Sequence, residues 1–199
     1  MSEQLVAAEP QRNRTVVVGA SLAAASMLMM FAGMVAVYVS IRQNNEHLIE
    51  KGVGGSVWFP DLTIQIAPGT MMLFTAMMSL FTMAWAVQAI RNDDRRNAYV
   101  AMGLTMLLGA AIINQVAFAI GDFGVPVDRS TPALLLYALY GAFVAALGMA
   151  IVGVLLMMLR AIAGQYDSRN SDGIQAAAIF WYAVILVYPV IWYLITITK

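Results

Sequence analysis

Five long apolar stretches alternate with short charged segments along the chain. The stretches without Asp, Glu, Lys or Arg are 25 to 30 residues long and cover 15–41, 62–90, 97–121, 130–159 and 173–198. Because an α-helix rises about 1.5 Å per residue, about 20 residues cross a hydrocarbon core roughly 30 Å thick. None of the stretches alternates with the period of two that a membrane β-strand requires. The pattern therefore predicts an all-α, polytopic membrane protein with five transmembrane helices in one bundle.

These elements divide the chain into an N-terminal tail, residues 1–14, and a five-helix membrane domain, residues 15–199. The first apolar run is much longer than the roughly 7–15-residue core of a signal peptide, so we expect it to be retained. The largest loop, from Arg42 to about Ile66, has room for one short interfacial helix at most. We predict the helices at about 16–41, 67–90, 98–121, 132–159 and 174–197.

Lys and Arg are distributed unevenly between the two sides of this predicted bundle. The N-terminal tail and the second and fourth loops carry seven of them, whereas the first and third loops and the C-terminal end carry four. Because cytoplasmic loops are enriched in Lys and Arg, we expect the N-terminus in the cytoplasm and the C-terminus outside. Aromatic residues suited to the membrane–water interfaces are Trp58, Phe59, Trp181, Trp192 and Tyr193.

Composition narrows the possible functions. The chain is 61% hydrophobic and 11% charged, with a mean hydropathy of +0.77 and no net charge, which excludes a water-soluble fold, disorder and a nucleic-acid-binding surface. It has no cysteine and a single histidine, His47 in the first loop. Heme needs an axial ligand and catalytic zinc needs three protein ligands, so we expect no cofactor or metal in this chain.

No Asp, Glu, Lys, Arg or His lies within the five predicted helices. Such residues mark proton relays, ion paths and substrate sites in membranes, so a proton-coupled transporter or a membrane enzyme is disfavoured. The strongest polar feature inside the bilayer is the pair Asn114-Gln115, whose amides can bond to a neighbouring helix or contact a ligand. A small solute transporter or channel, built around these two amides, remains an alternative.

Small residues recur along one side of the fourth predicted helix, with Ala138, Ala142, Ala146 and Ala150 at every fourth position. Such a stripe lets another helix approach closely. The contact could be made within the chain or with a partner subunit, and the sequence does not distinguish the two.

Short aromatic and glycine motifs mark the first loop and four of the helices. They are Met29–Gly33 with Tyr38 and Arg42, Trp58–Pro60, Pro68 with Trp85-Ala86, Thr105 and Leu108-Gly109 with Gln115, and Phe180–Val184. In order and spacing, over nearly the whole chain, these motifs resemble subunit III of heme-copper cytochrome c oxidases. The five predicted helices are similar in number to those of the shorter bacterial form of that subunit.

The chain departs from this family wherever the family has an ionisable residue inside the membrane. Two glutamates, three histidines and an aspartate of the family are replaced by Met27, Phe118, Tyr140, Phe143, Tyr182 and Ile185. Gln115, Gly141 and Trp181 match the family. We therefore expect the packing scaffold without its polar interior, with Tyr140, Phe143 and Tyr182 forming one dry helix interface.

The resemblance implies a non-catalytic accessory subunit of a respiratory oxidase in the bacterial plasma membrane. In that family, subunit I holds the hemes and CuB, subunit II holds CuA, and subunit III packs against subunit I, binds phospholipid and sustains oxygen reduction and proton pumping. The matching subunit of nitric oxide reductase complexes is an alternative. The residues expected to contact other helices, a partner or lipid are Asn114, Gln115, Tyr140, Gly141, Phe143, Trp181 and Tyr182.

Overall fold

The computed structural model describes residues 14–55, 58, 66–122, 131–166 and 170–197. These residues contain no strand and five α-helices: α1 (Thr15–Glu50), α2 (Ile66–Arg91), α3 (Arg95–Asp122), α4 (Thr131–Ile162) and α5 (Asp172–Ile197). Each helix is long and apolar enough to cross a membrane. The prediction of an all-α, multi-pass membrane bundle is confirmed, whereas the expectations for the tail before Arg14 and for Phe59 concern residues outside the described ranges.

The last helix lies at the centre of the bundle. α5 packs against α1, α2 and α4, and α3 packs against α2 and α4. Half of the most apolar window of α5 is buried inside the protein, compared with 22 to 28% for the other four helices. A helix surrounded by neighbours buries more than one stripe, so α5 forms the core around which α1, α2 and α4 pack.

α1 continues for nine residues beyond its predicted end at Ile41. The expectation of a loop starting at Arg42 is therefore wrong. Charged residues outside the hydrocarbon core still favour a helix when they pair along it, as Arg42 Nε does with Glu46 Oε1 at 3.0 Å. The helix ends at Glu50, and the two residues after it close the end as a Schellman motif. Gly52 has a φ of +63°, and the Val53 N–H donates to the Leu48 carbonyl at 3.2 Å.

α2 and α3 form an antiparallel hairpin joined by three residues, 92–94. Asp93 adopts a left-handed φ of +61°, and the Asp94 N–H donates to the Ala89 carbonyl at 2.9 Å, which closes the end of α2. The carboxylate of Asp94 then caps α3, since Oδ1 accepts from the Asn97 N–H at 3.2 Å. The two aspartates thus terminate one helix and start the next within a single turn.

One end of the bundle collects the start of α1, the α2–α3 turn and the α4–α5 connection. The described cations at this arginine-rich end are Arg14, Arg91, Arg95, Arg96 and Arg160. Arg91 Nη2 donates to Gln175 Oε1 at 3.0 Å and so links the end of α2 to the start of α5. The described cations at the opposite end are Arg42 and Lys51.

Replacing Asp94 with alanine should destabilise the protein by about 1 kcal/mol, because the first turn of α3 loses its cap. Amide hydrogen exchange should accelerate at Asn97, and the SDS concentration needed for half-unfolding in mixed micelles should fall. Asp94→Asn is the matched control, since it retains an acceptor oxygen for the Asn97 N–H. Equal exchange rates at Asn97 in the alanine and asparagine variants would contradict the assigned cap.

Candidate functional site

Three hydroxyl side chains lie on one face of α2, of which Ser79 is fully buried and Thr75 and Thr82 are half-buried. Thr75, Ser79 and Thr82 are spaced at i, i+4 and i+7, so they share one helix face, and we call them the hydroxyl column. Each donates to a carbonyl of its own helix, at 3.0, 2.7 and 3.1 Å respectively. Because their protons are used locally, the oxygens remain available as acceptors for donors on other helices.

Each member of the hydroxyl column receives one such donor. Gln115 Nε2 on α3 donates to Thr75 at 3.3 Å, and Trp181 Nε1 on α5 donates to Ser79 at 3.3 Å. The hydroxyl of Thr105 on α3 lies 2.8 Å from that of Thr82. The column therefore links α2 to both α3 and α5. Sequence reasoning missed this feature, although hydroxyls at helical spacing in an otherwise apolar segment were its signal.

Trp181 occupies the middle of the bundle and is fully buried. No Cα atoms of the described α3 and α5 lie within 8 Å of each other, so the indole bridges the gap between them. It fits because α3 has no side chain at Gly109, where a Cβ would lie 2.6 Å from Trp181 Cη2. Assigning Trp181 to the membrane interface was wrong, since Ser79 supplies the acceptor that interfacial water would otherwise provide.

The two neighbouring amides of α3 have different environments. Gln115 is half-buried and forms the interhelical bond to Thr75, as the sequence predicts, while its Oε1 is buried without a partner. Asn114 is exposed on the outer surface, and among the described residues its carboxamide has no hydrogen-bond partner. Successive helical residues point about 100° apart, so both amides could not face the same neighbour. Of the two amides, the bond to a neighbouring helix is therefore made by Gln115 and not by Asn114 within the described chain.

Aromatic side chains of α4 and α5 meet in the half of the bundle opposite the arginine-rich end. Phe143 is fully buried, with its ring centroid 5.7 Å from that of Tyr188, and Tyr140 is 6% exposed. Tyr188 donates to the Gly69 carbonyl on α2 at 3.0 Å. This part of the interior is packed with rings, as expected for Tyr140 and Phe143.

Tyr182 is half-buried and packs against the edge of the core. α4 and α5 run antiparallel, so the start of α4 lies beside the end of α5. Tyr140 lies nine residues after the start of α4, and Tyr188 lies nine residues before the end of α5, so the two residues are level. Tyr182 lies six residues earlier in α5, or about 9 Å further along the axis. Tyr188, which the sequence analysis did not single out, is therefore the ring that lies level with Tyr140 and contacts Phe143.

The other positions singled out by the family resemblance divide between core and surface. Met27 and Ile185 are buried in the core, whereas Phe118 is 63% exposed. Gly141 is exposed, and a Cβ built there would meet nothing within 4 Å, so it makes no close helix contact within the described chain. Of the small-residue stripe on α4, Ala146 and Ala150 are buried, Ala142 is half-buried and Ala138 is exposed.

Tyr38, in the C-terminal half of α1, and Trp58, in the first loop, form a second polar contact. The Trp58 indole donates to the Tyr38 hydroxyl at 3.0 Å, and the two rings meet edge to face with centroids 5.6 Å apart. Next to them, an apolar groove opens between α1 and α4, lined mainly by Met30, Gly33 and Val37 on one side and Leu135, Ala138 and Leu139 on the other.

The arrangement holds helices together through neutral hydrogen bonds and ring packing. Within the described residues, no three His, Cys, Asp or Glu side chains cluster as metal ligands would. Comparison of the sequence with protein-family models and with curated proteins gives no match. The functional assignment therefore depends on the sequence motifs and on how the structure brings their residues together.

Gly109→Ala should destabilise the protein by about 1–3 kcal/mol, because the new methyl group would overlap the buried Trp181 ring. Gly103→Ala on the same helix is the matched control. A Cβ at Gly103 meets nothing within 4 Å, and alanine favours a helix over glycine, so stability should be unchanged or slightly higher. SDS titration followed by circular dichroism and tryptophan fluorescence measures both variants. Equal stability of the two would contradict the Gly109–Trp181 contact.

Phe143→Ala should cost about 3–5 kcal/mol, as expected when a large aromatic side chain is removed from a packed core. Phe81→Ala is the control at a position that is 65% exposed. Its loss should be much smaller, because lipid tails replace the missing contacts at an exposed site. If Phe81→Ala were as damaging as Phe143→Ala in the same SDS titration, the assigned core would be wrong.

Proposed function

We propose that the chain is a non-catalytic accessory subunit, similar to subunit III, of a respiratory heme-copper cytochrome c oxidase. In this role the hemes and copper belong to subunits I and II, and this chain packs against subunit I. It supports assembly and sustained oxygen reduction and proton pumping without carrying electrons or protons itself.

The observation that carries the proposal is the pairing of motif residues in space. Gly109 and Trp181 belong to motifs of the third and fifth helices and lie against each other. Tyr38 and Trp58 belong to motifs of the first helix and the first loop and are hydrogen-bonded. Residues that matched the family's motifs only by chance would not be expected to contact one another. These contacts therefore support a scaffold shared with that family.

The chemistry of the interior supports a structural role for this scaffold. The polar groups of the hydroxyl column bond between helices, and the ionisable positions of the family at Met27, Tyr140, Phe143 and Ile185 are filled by buried apolar or aromatic side chains. A chain with this interior provides packing surface to a complex, whereas proton relays in membranes depend on ionisable groups.

The surfaces of the bundle fit a bacterial plasma membrane. We place the arginine-rich end and the N-terminus in the cytoplasm and the C-terminus outside, following the bias of Lys and Arg toward cytoplasmic loops. The groove between α1 and α4 has apolar walls that suit an acyl chain, so membrane phospholipids are proposed ligands of this chain in addition to subunits I and II.

The proposal is tested by purifying the full-length chain, with an affinity tag, from its native membranes in a mild detergent. We expect larger subunits containing heme and copper to copurify, a reduced-minus-oxidised heme spectrum, and oxygen uptake with a reduced electron donor. The same tagged chain produced alone should show neither the spectrum nor the uptake.

Nitric oxide consumption by the purified complex, without oxygen uptake, would assign the chain to a nitric oxide reductase complex instead. Purification without any heme-containing partner would contradict both assignments. Solute flux into liposomes that contain this chain alone would favour a transporter or channel.

A further inference from the structure

The carboxamide of Asn114 is exposed on the outside of the bundle at a depth where lipid is apolar. It lies five residues beyond Gly109, the middle of the charge-free stretch 97–121, which corresponds to about 7 Å from the bilayer centre. The hydrocarbon core extends about 15 Å on either side of that centre. Within the described chain the amide has no hydrogen-bond partner. Polar groups in lipid that are left unpaired are costly, so this surface requires a polar partner from outside the bundle.

The surface around Asn114 has the pattern of a helix–helix interface. Residues at alternating steps of four and three lie along one line of α3, and this line, the α3 seam, consists of Gly103, Leu107, Ala110, Asn114, Ala117 and Gly121. All are exposed except Gly103, which is half-buried. Steps of four and three generate the seam of a left-handed helix pair, and small residues let two such helices approach closely.

We propose that the chain forms a homodimer through the α3 seam, with the two Asn114 side chains bonded to each other. Two copies inserted in the same membrane share one orientation, so a twofold axis along the membrane normal places each seam residue opposite its own copy at equal depth. A carboxamide contains both a donor and an acceptor, so it is complementary to a second carboxamide. A second copy therefore supplies the missing partner at the required depth without any further polar group.

Small residues recur along the proposed interface at intervals of seven, at Gly103, Ala110 and Ala117. A Cβ built at Gly103 or at Gly121 would meet nothing within 4 Å, so neither glycine is needed for packing inside the bundle. A single asparagine in such a seam fixes the register of the two helices. Dimerisation through α3 does not depend on the proposed function, because it uses a surface distinct from the motif contacts.

Cysteine crosslinking tests the dimer directly, because the chain contains no cysteine. Single cysteines are introduced at Leu107, Ala110 or Ala117 in the full-length protein and oxidised with copper–phenanthroline in cell membranes. Control cysteines replace Met149 or Val152, which are 61% and 54% exposed on α4. We expect a product of twice the 21.6 kDa chain mass from the seam positions and little from the controls.

Two substitutions in the seam and one control outside it then separate the dimer contact from folding. Asn114→Leu should weaken dimerisation about 3- to 30-fold, the range expected from one interhelical hydrogen bond in a membrane. Gly103→Leu should block the seam, whereas Gly141→Leu, at an open glycine on α4, should leave the crosslinked fraction unchanged. All three variants should unfold at the same SDS concentration as the parent under conditions where it is monomeric.

Three results would overturn the proposal. The first is an absence of dimer at every seam position, and the second is crosslinking of the α4 controls as efficient as that of the seam. The third is a seam product whose mass corresponds to a different protein, which would assign the face to a heterologous partner. None of these results depends on whether heme-containing subunits copurify with the chain, so failure of the dimer and failure of the proposed function are distinguishable.

Discussion

The indole of Trp181 is the contact on which the packing of the bundle centre depends. It extends from α5 to α2 through its bond to Ser79 and to α3 through the space left at Gly109. α3 and α5 do not approach each other through their backbones, so this ring fills the space between the two helices. The largest side chain of the core is accommodated because the facing position has no side chain.

The hydrogen bonds between the helices follow from the need of polar groups in a membrane for partners inside the protein. In lipid a hydroxyl, amide or indole without a partner is costly, and here the members of the hydroxyl column donate within α2 and accept from α3 or α5. Such neutral bonds contribute little individually, on the order of 0.6 kcal/mol in a membrane protein. Their main effect is to fix the register of the helices, which close packing then stabilises.

The sequence was sufficient to predict helix number and class, because the length of a charge-free stretch is set by membrane thickness. It was less informative about where a helix ends and about which side chains are buried. α1 continued past Arg42 because leaving the hydrocarbon core does not end a helix, and only the glycines after Glu50 do so. Trp181 was misplaced and Tyr188 was missed for another reason: burial depends on which residues of neighbouring helices lie at the same depth. That relation is set by helix register, which no single segment specifies.

The three-residue turn between α2 and α3 also constrains how the chain enters the membrane during synthesis. Three extended residues span at most about 11 Å, close to the 8–10 Å that separate the axes of packed helices. Once both helices have left the ribosome, the turn keeps them from diffusing apart in the bilayer. Because the connecting loop is short, the entropic cost of bringing the two helices together is small. α2 and α3 are therefore expected to insert as a preformed hairpin, whereas α1 and α4, which are connected to it by longer segments, can dock afterwards. The length of this turn thus favours joint insertion of the two helices that it connects.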